Sequence, residues 1–153
     1  MIPKFRAYSK EENEMYYPHN DKNVDWTIDD ETGFIAPLVN LGGGMWGMID
    51  KYELMQSTGL KDKNGVEIFE GDIALITHKS TNYADTYWHS YVEVFRAKNG
   101  AYRIRGEHIY ETELYSNRKQ LTVAGNIYNS PELLKRDRFM TTTENPDFLE
   151  EQR

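Results

Sequence analysis

The residues best suited to proton transfer or metal binding are four histidines, His19, His78, His89 and His108. None stands four positions from another, the spacing that sets two imidazoles on one helix face, and the chain has no cysteine to complete a ligand set. His78 and His89 flank the polar stretch KSTNYADTYW with Asp85 between them, so a cross-strand pair beside a carboxylate is the one constellation worth testing. The expectation is two surface histidines beside a loop, with no metal. Carboxylates cluster at Asp29, Asp30 and Glu31, at Glu11 and Glu12, and at Glu150 and Glu151. With 25 acidic residues against 18 basic ones, such clusters read as solvated faces, because glycosidase-type catalysis needs two carboxyls held across a cleft. No serine sits in a Gly-x-Ser-x-Gly turn, and Gly42-Gly43-Gly44 lacks the lysine and Ser/Thr of a phosphate loop. The sequence therefore predicts no enzyme and no cofactor.

Two constellations point to binding instead. In YRIR, Arg103 and Arg105 fall on one side of a strand and Tyr102 and Ile104 on the other, with Tyr110 and Tyr115 nearby. Rings beside guanidinium groups are how small barrels hold single-stranded nucleic acid, and this is the alternative function. The net charge of −7 opposes it, and a solvated basic face opposite a packed aromatic one is the favoured reading. The second constellation is apolar: Trp26, Phe34, Met45, Trp46 and Met48 lie in a stretch that a small barrel built from residues 54 to 128 does not need for its own core. Aromatic residues and methionine in such a position suit an interface, so self-association into a homo-oligomer is expected there.

The elements that position these residues are short strands. KFRAY and MYYP enclose a polar turn, and Val24, Trp26 and Ile28 alternate. Asn64-Gly65 and Asn99-Gly100 each stand between apolar or alternating segments, which predicts hairpins over residues 60 to 77 and 91 to 105, turning where the backbone φ becomes positive. IALIT reads as a half-buried strand and LTVAGNIY as another. SPELLKR predicts a short closing helix with Ser130 as N-cap, Pro131 at the first helical position and Glu132 in the first turn. At 153 residues, with 13% aromatic content, the chain is expected to form a single β-rich domain over 1–135 followed by a polar C-terminal tail over 136–153. No segment offers the ~20 apolar residues of a membrane span, nor does the start resemble a signal peptide, so a cytoplasmic protein with no membrane contact is expected.

FRAY, LMQSTGLKDKNGVEIFEGDIALI and VAGNIYNSPELL, in that order, resemble the YopX family of phage and prophage proteins of Gram-positive bacteria. The resemblance covers most of residues 5 to 134, with little of it in 18 to 50 and 78 to 120. It implies a mainly β fold containing a small antiparallel Src-homology-3-like barrel, with additional N-terminal strands and a short C-terminal helix. It also implies self-association, and it carries no catalytic residue. The expected role is a non-enzymatic accessory protein of phage or prophage origin that acts through contacts with itself or with a host or phage protein.

Overall fold

A computed structural model describes residues 4–17, 24–28, 35–48 and 52–145. The chain is mainly β and divides into two compact units, Met1–Ser57 and Thr58–Arg153.

In the first unit, strands β1 (Phe5–Ser9) and β2 (Glu14–Tyr16) form the hairpin foreseen around SKEENE, with Ala7 opposite Tyr16. Strands β3 (Val24–Ile28), β4 (Ile35–Gly42) and β5 (Met45–Met48) make a separate antiparallel sheet in chain order. The first half of β6 (Glu53–Lys61) pairs antiparallel with β1, Phe5 lying opposite Gln56.

The second unit holds β7 (Glu67–Phe69), β8 (Asp72–Lys79), β9 (Tyr87–Arg96), β10 (Tyr102–Arg105) and β11 (Thr112–Glu113), then α1 (Leu114–Asn117), β12 (Leu121–Asn126) and β13 (Phe139–Thr141). Its main sheet runs β11-β10-β9-β8-β12, every pair antiparallel, and curls into a half-barrel. Ile68, Ala74, Ile76, Val92, Val94, Ile104, Leu114 and Leu121 are buried together on one side. Ile73, Leu75, Tyr91, Ala124 and Leu133 are buried on the other. The half-buried strand expected at IALIT is thus buried on both faces, because its residues alternate between two cores.

Both Asn-Gly pairs turn hairpins, by a route that differs from the expected one. Only the glycines take positive φ, 81° at Gly65 and 88° at Gly100. In each turn the amide of the residue just before the loop donates to the carbonyl four residues on, Asp62 to Val66 at 2.8 Å and Ala97 to Ala101 at 2.8 Å. Each glycine amide also donates back three residues, to Asp62 and to Ala97. These are three-residue loops in which a type I turn ends on a left-handed glycine, so asparagine occupies an ordinary αR-side position.

Two further differences concern helices. SPELLKR forms a five-residue 3-10 helix over Pro131–Lys135, and Ser130 makes no side-chain cap hydrogen bond, so Ser130 marks the start without capping it. The adjoining GNIYN makes its own turn: Asn126 Oδ1 accepts from the amides of Tyr128 and Asn129, and Asn129 Oδ1 accepts from the amide of Asn126. The single-turn α1 has no sequence signal, and only Leu114 buries from it. Beyond Arg136, in the stretch read as a polar tail, β13 pairs with β9, Phe139 opposite His89 and Thr141 opposite Tyr87. Among the described residues no helix is long and apolar enough to cross a membrane.

Candidate functional site

Two buried polar groups of the second unit, Asp62 and His89, anchor networks that local sequence could not reveal. Asp62 is 6% exposed, and its carboxylate receives three backbone amides. Oδ1 accepts from Asn64 at 2.8 Å and Val66 at 2.9 Å inside its own turn, and Oδ2 accepts from Val123 at 2.9 Å on β12. One side chain closes the β6–β7 turn and fastens it to a strand 61 residues away.

His89 is the second, and here the expected surface histidine is corrected: the ring is 0% exposed. The register explains why. Thr77 lies opposite His89 and His78 opposite Trp88, so the two histidines project from opposite faces of the β8–β9 pair and cannot converge on one ligand. Nδ1 of His89 lies 2.8 Å from Thr77 Oγ1, and Nε2 lies 2.7 Å from Thr141 Oγ1. The Thr141 hydroxyl donates to the carbonyl of Thr143, which leaves its oxygen to accept from Nε2–H. Nδ1 is then the acceptor for the Thr77 hydroxyl, so a neutral ring is satisfied at both nitrogens. Burial pushes the imidazole down to about 4, Lys63 adds to the effect, and the Thr143 backbone opposes it weakly. The Phe139 ring stacks on His89 with centroids 4.9 Å apart.

Arg103 and Arg105 project from β10 as the alternation requires, but each is already engaged. Arg103 Nε donates to Glu111 at 3.0 Å, and Arg105 Nε donates to Glu93 at 3.4 Å. Arg105 also lies 4.0 Å above the Phe95 ring of β9. The face assumed to lack rings therefore has one, supplied across the ladder by the residue paired with Arg103.

The apolar candidates divide. Met45 and Trp46 begin β5 at the tip of the β4–β5 hairpin, 65% and 43% exposed, and Leu41, absent from the candidate list, joins them at 64%. Leu41 reaches across β5 where Gly47 has no side chain; a Cβ there would stand 2.9 Å from Leu41 Cδ1. The turn between the strands is the glycine triplet, and Asn40 Oδ1 braces it by accepting from the Gly42 amide at 2.8 Å. The backbone of Trp26 lies in β3 opposite Pro37 and that of Met48 in β5 opposite Leu38. Phe34 and His19 lie outside the described residues. Among those residues no group of three or more His, Asp or Glu side chains is placed to hold a metal ion.

The crystal structure of protein EF1440 from Enterococcus faecalis is similar to this chain, with 33% identity and a TM-score of 0.54 over 88% of this chain and 99% of that one. No curated protein matches. A family model described as YopX protein matches residues 4–135, from the start of the β1–β2 hairpin to the end of the 3-10 helix. Over that span the chain is a member of the YopX family.

Proposed function

We propose that the protein is a non-enzymatic accessory protein of phage or prophage origin that works through protein contacts, first among them contacts with its own copies. The observation that carries this reading is the hairpin tip, where Leu41, Met45 and Trp46 are all exposed beside a glycine turn. Large apolar side chains left exposed on one short hairpin favour burial against another surface, and tryptophan and methionine are the types that interfaces enrich. Family membership supports the phage-type setting, and the curled sheet of β8 to β12 is consistent with a parent barrel of Src-homology-3 type. Arg103 and Arg105 favour protein contact over nucleic acid, since a phosphate would have to displace Glu111 or Glu93.

Size-exclusion chromatography with light scattering tests the reading. The wild-type chain is expected to elute above monomer mass at high micromolar concentration, and Trp46→Ala is expected to return it to a folded monomer. A wild-type monomer throughout that range rejects self-association at the tip.

A further inference from the structure

We propose that the edge of β9 from Tyr87 to Tyr91 is a strand-binding slot for an extended peptide bearing an aromatic residue and, two positions later, a threonine or serine, and that β13 occupies this slot in cis. The edge is defined by topology. β8 pairs with β9 along one side, at Tyr87 to Glu93, while β10 pairs with the other side only from Glu93 to Arg96. On that side β13, three residues long and lying beyond the span matched by the family, pairs with Tyr87 to His89.

The contacts of β13 spell out what the slot recognises. Phe139 stacks on His89 at 4.9 Å and tilts against Tyr91 at 6.5 Å. Thr141 supplies the oxygen for His89 Nε2–H, and a hydroxyl suits that place because it can accept from the ring while donating to the Thr143 carbonyl. Arg138, one residue before the aromatic, lies 4.4 Å from the Trp88 ring. Backbone pairing provides general affinity and these pockets provide selectivity, the usual division of labour when a strand is added to a sheet edge. The occupant sits shallowly, with Met140 49% exposed and Phe139 and Thr141 half-buried, while the walls are deep, with His89 and Tyr91 at 0% and 4%. A short strand that is itself only half-buried or exposed, lying at the edge of a longer sheet, is an arrangement in which the strand can leave.

The test uses a fluorescein-labelled peptide of residues 136–145 and the full chain carrying Phe139→Ala and Thr141→Val, which cripple the resident strand. Anisotropy is expected to show the peptide binding this variant at least about tenfold more tightly than the wild-type chain, whose tethered strand competes at roughly millimolar effective concentration. Alanine at the aromatic position of the peptide, or His89→Phe in the variant protein, is expected to remove that gain. Absence of binding to a folded variant, or binding indifferent to both changes, overturns the proposal. Native-state hydrogen exchange on the wild-type chain is an independent check: the amides of Phe139 to Thr141 should exchange well before those joining β8 to β12. Equal protection of the two sets would mean that β13 is an inseparable part of the sheet and that no slot exists.

Discussion

Asp62→Ala is expected to lower the unfolding free energy by about 4 kcal/mol, the larger of the two strongest effects foreseen for this protein. Three charge-assisted hydrogen bonds disappear together, and the losses differ in kind. The amides of Asn64 and Val66 belong to exposed residues and can turn to water, whereas Val123 is half-buried on β12 and its amide has less access. Asp62→Asn should cost roughly half as much, since one amide oxygen can serve one side of the network while the NH2 group faces a donor on the other. Urea denaturation with the slope held constant measures both variants. A loss below about 1 kcal/mol for alanine would show that the turn and β12 hold together without the carboxylate.

Acid should act through His89. The folded ring titrates near 4, against about 6.5 for an unconstrained histidine, so between those values the unfolded chain binds the proton and the folded chain does not. The contribution of the neutral ring is therefore fully present above about pH 6.5, declines as the pH falls from there to 4, and levels off below. Its full span is about 3 kcal/mol. His89→Phe keeps an aromatic surface under Phe139 but cannot titrate. The difference in stability between wild type and this variant should shrink across that pH window. If the difference stays constant from neutral pH down to pH 4.5, His89 does not govern the acid response.

Much of the fold was legible because its turn residues act locally. Gly65 and Gly100 announce loops through their own backbone freedom, and Asn126 and Asn129 bond the amides beside them, so a short quotation contains both cause and effect. The same locality explains the tip: a glycine triplet between apolar residues is a turn that must leave some of them outside. Long-range chemistry was hidden. Thr77, His89 and Thr141 meet through a register that no single strand encodes, and the ring under Arg105 comes from the neighbouring strand. SPELLKR carried good start signals, yet five residues before a break favour the tighter 3-10 winding over a full α-turn. The hydrophobic run at IALIT was a signal of two-faced burial, because alternation disappears when both faces meet a core.

The bond from Asp62 to Val123 also has a consequence for the time course of synthesis. A ribosome releases the Asp62 turn long before it releases β12, so the carboxylate must wait in water while β8, β9 and β10 form from neighbours in sequence. Closing a loop of that length carries an entropic cost that only the finished sheet can offset. The Asn-Gly turn is thus local in its geometry and late in its completion. Until residue 123 arrives, the first hairpin of the second unit lacks the anchor that makes it permanent.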